Sequence, residues 1–375
     1  MGIFLKLNKS VYSNCKSYVY KSGGNSLLDN IFDAYWNLCV KLVPKSITAN
    51  FLTLLGFLCS TVAFFLMYIF DVSNKKYDCV FIYIGVFLFL YATFDALDGK
   101  HARRTNTSSP LGQLFDHGCD AITTTLFVFI IGRVADMQKG LLFFVSVFIY
   151  MYISVRIRNI LRQMPFFFLV DRTLHKSVQY IPGDNWNYRR NRFVITCCII
   201  RGIKGMGFFQ KTTVKDLLPA TMHLMLSVAR SSYLGVQTAK KKKKEATLQL
   251  SVVYLFLFVQ YYFYQSTKNE LLCYTIIALY SAFYTLHMNL STILKIKMDY
   301  FPIPVIFYYI VITFLFIKRK TNHHLFKLPV FNENYILYYL LAFGIIYLFD
   351  YSHTVITNIC KELNITFMFS KKKKR

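Results

Sequence analysis

Long apolar runs recur along this chain, and they constrain its fold more than any other feature. A helix of about 20 apolar residues, rising 1.5 Å per residue, matches the roughly 30 Å hydrocarbon core of a bilayer. By that ruler the spans are 47–70, 79–97, 118–135, 140–156, 193–210, 217–236, 249–265, 271–293, 302–317 and 334–349. Two of these ten are weaker, because Arg201 and Lys204 interrupt 193–210 and 217–236 is only moderately apolar. A cation at the centre of a lipid-facing helix costs about 2.5–3.5 kcal/mol, so 193–210 reads as amphipathic or buried among other helices. The expected fold is all-α: a polytopic membrane bundle of about ten helices over 47–349, with an N-terminal arm at 1–46 and a tail at 350–375.

Composition supports the bilayer as solvent. A water-soluble domain is roughly 45–50% apolar with about a quarter of its residues charged; this chain is 55% apolar and 17% charged, with a mean hydropathy of +0.38. Its 44 Lys and Arg against 18 Asp and Glu give a formal charge of +26. The cations cluster between apolar runs, as in Lys6 to Lys21 and Lys240 to Lys244, which suits basic cytosolic loops facing anionic headgroups and gives no soluble basic face for nucleic acid. An AT-rich coding genome also enriches Lys, Asn, Ile, Tyr and Phe, so part of that charge carries no function. Nine scattered cysteines without a CxxC pair indicate neither a disulfide framework nor a zinc site. The first 46 residues are mixed and polar, so no cleavable signal peptide is expected. Within them Leu27, Leu28, Ile31, Phe32, Tyr35, Trp36, Leu38 and Val40 fall at near-helical spacing, the pattern of an interfacial helix lying on the bilayer.

Four of the 14 aspartates fall between residues 95 and 120, in FDALDGKHARRTNTSSPLGQLFDHGCDAI. Asp95 and Asp98 are three apart and Asp116 and Asp120 four apart, so each pair shares a helix face. Thr105 to Pro110 supplies a polar, proline-terminated turn between them. Four neighbouring carboxylates cannot all stay ionised unless a cation neutralises them, and an all-oxygen cluster selects hard ions such as Mg²⁺, Mn²⁺ or Ca²⁺. Two divalent metals are the expectation. Gly99 and Gly112 permit close backbone approach, Ala102 is small, and Arg103 offers a fork to phosphate oxygens, so a polyphosphate fits. Intramembrane aspartates also serve interhelical hydrogen bonds or ion pathways, which keeps a cation transporter as the reading from a different class.

The segment resembles the signature of the CDP-alcohol phosphotransferase family, D-x-x-D-G-x-x-A-R-x(8)-G-x(3)-D-x(3)-D, at every fixed position. The string DGKHARRTNTSSPLGQLFDHGCD, with SLLDNIFDAYWN and LVPKSITANFLTLLGF before it, is similar to the choline/ethanolamine phosphotransferase branch. The likeness is strong over about 26–165 and weaker but collinear towards DYSHTVITNIC. It implies an integral membrane enzyme that moves phosphocholine or phosphoethanolamine from the CDP-alcohol to diacylglycerol, releasing CMP. Asp95 and Asp116 would bridge two Mg²⁺ or Mn²⁺ ions, with Asp98 and Asp120 each serving one. Gly99, Ala102, Arg103 and Gly112 would hold the CDP pyrophosphate, and Asn50 would reach the nucleotide. His117 is the implied proton acceptor, with Asp120 as its rival; His101 has no implied role. Phosphatidylinositol-type synthases share the metal motif, use CDP-diacylglycerol and are typically much shorter.

Two departures stand out. Ala49-Asn50 replaces the usual Pro-Asn pair, and after MPFFF the chain reads FLVDRTLHKSVQYIPGDNWNYRRNR, basic where the branch is aromatic and acidic. Quaternary ammonium recognition would use an aromatic cage, which composition alone does not single out among 37 Phe and 28 Tyr. The tail ends KKKKR, and Lys372 and Lys373 resemble a dilysine signal, which points to the endoplasmic-reticulum membrane, with the Golgi membrane as the other candidate. Many relatives of this kind are homodimers; the sequence leaves the oligomeric state open.

Overall fold

The computed structural model describes residues 9–18, 27–70, 77–134, 269–297, 299, 301–320 and 333–369, with scattered positions between 195 and 263. These residues are helical, and their one extended pairing is an isolated bridge between Ile47 and Phe369. A 3-10 helix, Lys9–Ser17, precedes α1 (Leu27–Leu42), α2 (Ala49–Ile69), α3 (Val80–Thr105), α4 (Pro110–Val134), α5 (Glu270–Ile293), α6 (Ile303–Lys320) and α7 (Glu333–Leu363). Among the described residues, α2, α3, α4, α7 and Leu271–Ile293 of α5 are long and apolar enough to cross a membrane, and α6 contributes the shorter apolar stretch Ile303–Lys318. The expected run 140–156 lies outside the described residues, as do 193–210, 217–236 and 249–265 apart from scattered positions.

Local chemistry explains the α3–α4 hairpin. Asn106 closes α3 in the left-handed region, at φ 55°, a conformation Asn tolerates better than most residues. The amide of Thr107 then donates to the Ala102 carbonyl at 2.9 Å. Ser109 accepts at 3.1 Å from the amide of Gly112, and Pro110 takes the first helical position, where its missing N–H costs nothing.

Helix α1 is amphipathic, with Trp36 and Val40 buried against Leu52 of α2 and Ala96 and Leu97 of α3. Leu38 and Leu42 point outward, 62% and 78% exposed. Two basic residues of α3 tie it down. Lys100 Nζ lies 2.5 Å from Asp33 Oδ1 and 2.9 Å from Asn37 Oδ1, and Arg104 Nη1 donates to the carbonyls of Val40 and Val43 at the helix end.

The other end of the chain returns to the same place. Helix α7 runs past residue 349 to Leu363, turns at Asn364 (φ 52°) and sends 365–369 back onto the start of α2. There Thr48 Oγ1 donates to Phe367 O at 2.7 Å, and the Thr48 amide to Met368 O at 3.2 Å. Nearby, Lys16 pairs with Glu362 at 2.7 Å and Asn14 Nδ2 donates to Leu294 O at 2.7 Å. The start of α2, the end of α3, the start of α4 and the end of α7 therefore share one pole of the bundle, and the acidic hairpin lies there.

Candidate functional site

The site is built from three helices. Gly56 lets α2 lie close on α3: a Cβ there would sit 3.2 Å from Phe94 Cβ and 3.4 Å from the Tyr91 carbonyl. That approach brings Thr53, one turn beyond Asn50, to Asp98, and its hydroxyl donates to Asp98 Oδ2 at 2.6 Å. On α3, Tyr91 reaches across to α4 and donates to Asp120 Oδ1 at 2.7 Å. Asp120 is only 4% exposed; a buried carboxylate needs such donors, because stripping it of water is expensive.

All four predicted carboxylates lie in one neighbourhood. Asp98 and Asp120 interact electrostatically across the α3–α4 contact, and Asp95, Asp98, Asp116 and Asp120 all bear on the buried Cys119 of α4. Among the described residues, the one set of three or more ligand atoms close enough to hold a metal comes from α4 alone. Asp116, His117 and Asp120 each offer one atom within 4.8 Å of the others. Each hydroxyl bond above fixes one oxygen of Asp98 or Asp120. Carboxylate oxygens suit a divalent ion of the Mg²⁺ or Mn²⁺ kind.

His117 is 7% exposed. Its Nδ1 lies 3.5 Å from Asp116 Oδ2, and its Nε2 is 3.2 Å from Gln113 Nε2 one turn earlier. That environment brackets the ring between a carboxylate and an amide and holds its orientation. His101, for which no role was expected, is fully buried and joins the Ile47 carbonyl through Nε2 at 2.9 Å, which locks the entry to α2.

The predicted phosphate residues lie on the same two helices as the carboxylates, α3 and α4. The Arg103 guanidinium lies over Gly99, with Nη1 3.4 Å from where a glycine Cβ would stand; Ala102 is half-buried one residue before it. A Cβ on Gly112 would meet Asn50 Oδ1 at 3.3 Å, so this glycine is what lets α4 start beside Asn50. The Asn50 amide itself donates to the Phe367 carbonyl at 3.0 Å, and Phe367 packs edge-on against Phe115 of α4 at 5.0 Å. Residues 169–215, whose composition departs from the branch, and the KKKKR end lie outside the described residues, apart from scattered positions.

Sequence reasoning missed Thr53, Tyr91, Gln113 and the returning C-terminal segment. Tyr91 was accessible, since it precedes Asp95 by four residues and so shares its face. Thr53 and Phe367 carried no local signal.

Comparison with known proteins converges on the same segment. Residues 46–180 match the family model described as CDP-alcohol phosphatidyltransferase. A Dictyostelium discoideum protein named uncharacterized CDP-alcohol phosphatidyltransferase class-I family protein 3 is 40% identical over 146 residues, 38% of this chain and 37% of its own length. Choline/ethanolaminephosphotransferase 2 of Arabidopsis thaliana is 39% identical over 132 residues, 34% of each chain. Cholinephosphotransferase 1 of Xenopus laevis is 35% identical over 130 residues, 34% of this chain and 32% of its own. The matched stretch thus spans about a third of the length of these curated relatives.

Proposed function

From a chain whose residues 46–180 carry a CDP-alcohol phosphatidyltransferase domain, we propose an integral membrane transferase that moves phosphocholine, phosphoethanolamine or both from the CDP-alcohol to diacylglycerol and releases CMP. The observation that carries the proposal is the cluster of Asp116, His117 and Asp120, whose ligand atoms lie within 4.8 Å of one another, inside the matched segment and with Asp98 of α3 bearing on Asp120 from across the helix contact. The choice of head groups is supported by the matches to relatives named for choline and ethanolamine phosphotransfer.

The four aspartates are the residues that would hold two divalent ions, Mg²⁺ or Mn²⁺. Such ions, when bound, supply Lewis-acid stabilisation of phosphoryl oxygens. Thr53 and Tyr91 fix the carboxylates of Asp98 and Asp120 in place, so little reorganisation is needed when charge develops. Arg103 presents a planar fork to the pyrophosphate, and Gly99, Ala102 and Gly112 keep the backbone close enough for it to approach. Asn50 reaches the nucleotide from the start of α2.

His117 takes the proton from the diacylglycerol hydroxyl at one ring nitrogen, while Asp116 and Gln113 hold the ring. An imidazole of near-neutral basicity suits that step, whereas Asp120 is committed to Tyr91 and the metal site. The chain works in the endoplasmic-reticulum or Golgi membrane, where diacylglycerol is dissolved.

The test is a microsomal assay with labelled CDP-choline and CDP-ethanolamine supplied separately, with and without diacylglycerol and chelator. Labelled phospholipid and CMP should form only when CDP-alcohol, diacylglycerol and divalent metal are all present. Label incorporated from inositol and CDP-diacylglycerol instead would move the chain to the phosphatidylinositol-type reaction. Cation flux without nucleotide would move it to transport.

A further inference from the structure

A second charged site lies between α1 and α3. Asn37, Val40 and Lys41 of α1 and Lys100, Arg103 and Arg104 of α3 line a shallow, open cleft of about 580 Å³. Four of the six are cations and none is acidic. Lys100 is answered by Asp33 and Asn37, and Arg104 turns to the Val40 and Val43 carbonyls. Lys41 is exposed and forms no ion pair among the described residues. A concave wall of one sign focuses its field and concentrates counter-ions.

We infer that this cleft binds the phosphate headgroup of an anionic phospholipid. The shared chemistry is a phosphate oxyanion; the position of the cleft selects the lipid form. Lys41 is flanked on α1 by Leu38 and Leu42, 62% and 78% exposed, so an apolar edge that can enter the acyl region runs beside the basic wall. Helices with this division lie at headgroup depth and draw their cations to anionic lipid. α1 is 16 residues long, too short to span and long enough to lie in the interface.

The site touches the carboxylate cluster through one residue. Arg103 lines the cleft and also bears electrostatically on Asp98. A headgroup seated against Lys41 and Arg103 therefore sits next to the nucleotide end of α3 without using the carboxylates. The inference does not depend on the transferase reading, because its readout is lipid retention.

Full-length protein reconstituted in phosphatidylcholine nanodiscs with and without phosphatidylserine provides the test, with bound lipid counted by native mass spectrometry. Wild type should retain phosphatidylserine in preference to phosphatidylcholine. Lys41→Glu should lower that retention about thirtyfold, because the surface term is about 1 kcal/mol per cation and reversal removes it twice over, while Lys41→Arg should keep it. Lys41→Ala, with a smaller loss, serves if the reversed variant does not fold. Equal retention by wild type and Lys41→Glu would overturn the inference. So would inorganic phosphate displacing the lipid, which marks a soluble-anion site, or CDP-choline displacing it, which marks an extension of the nucleotide site.

Discussion

Helices α2–α4 and α5–α7 draw on the same Phe- and Tyr-rich alphabet and spend it differently. In the first group buried polar atoms meet each other: Thr53 with Asp98, Tyr91 with Asp120, and Ser60 with Thr123 at 3.0 Å. In the second, rings meet rings. Phe283 packs edge-on against Tyr347 and Tyr351, each at 5.2 Å, and Tyr280 lies 4.7 Å from Tyr308. Tyr280 donates at 3.2 Å to the Leu340 carbonyl, a neutral acceptor, whereas Tyr91 donates to a carboxylate. The lesson is that losing a hydroxyl near the carboxylates strands a charge, while losing one among the rings costs a single neutral hydrogen bond. Function and stability should therefore separate between the halves.

Asp116→Asn is the most severe way to probe that division. It should lower transfer by at least about two orders of magnitude with membrane abundance retained; near-normal turnover would detach Asp116 from the chemistry. His117→Ala should lower turnover about a hundredfold with little change in the KM for CDP-alcohol, and an effect confined to KM would place the proton acceptor elsewhere. Tyr91→Phe and Thr53→Val keep shape and remove one donor each. Either should cost about tenfold and raise the metal concentration needed for half-maximal activity, and a superimposable metal titration would show that these donors do not position the carboxylates.

In the aromatic half the expected effect is on stability. A side chain at Gly344 would meet Leu279 Cδ2 at 2.4 Å and Tyr280 Cε2 at 3.1 Å. Gly344→Val should therefore lower the melting temperature, at about 1–3 kcal/mol, while metal dependence and KM stay those of wild type. A shifted metal requirement would erase the contrast between the halves. The smallest effect belongs to the α1 tie. Hydrogen bonding from Lys100 holds the Asp33 carboxyl below the ordinary range. The tie is thus complete at neutral pH and is lost only as pH falls through that lowered value. Because the pair is largely solvated, Asp33→Asn should change global stability little and show instead as faster amide exchange within α1 at neutral pH, where an unchanged rate would mean that α1 is held by its apolar face alone.

Much of this was readable along the chain, and the reason is local. Helical spacing alone puts Asp95 with Asp98 and Asp116 with Asp120, and Asn106 to Pro110 carries its own turn chemistry. The expected runs 47–70, 79–97, 118–135 and 271–293 correspond to α2–α5 because length and hydropathy are sums over neighbours. The run expected to end at 349 continues to Leu363, since a helix that leaves the hydrocarbon need not stop there when Tyr351, Val355 and Ile359 still have a core to bury in.

By itself, then, the amino-acid order determined the membrane-spanning, all-helical character of the chain and the faces on which its acids and phosphate-binding candidates lie, because 3.6 residues per turn and 1.5 Å per residue are properties of any helix. Only the tertiary structure decided that Thr53 and Tyr91 serve Asp98 and Asp120, that Phe367 meets Asn50, and that Lys41 faces Arg103 across a cleft. Those contacts depend on the rotation and depth of one helix against another. Packing sets both, through close approaches such as Gly56 on Tyr91 and Phe94, and no local pattern encodes them.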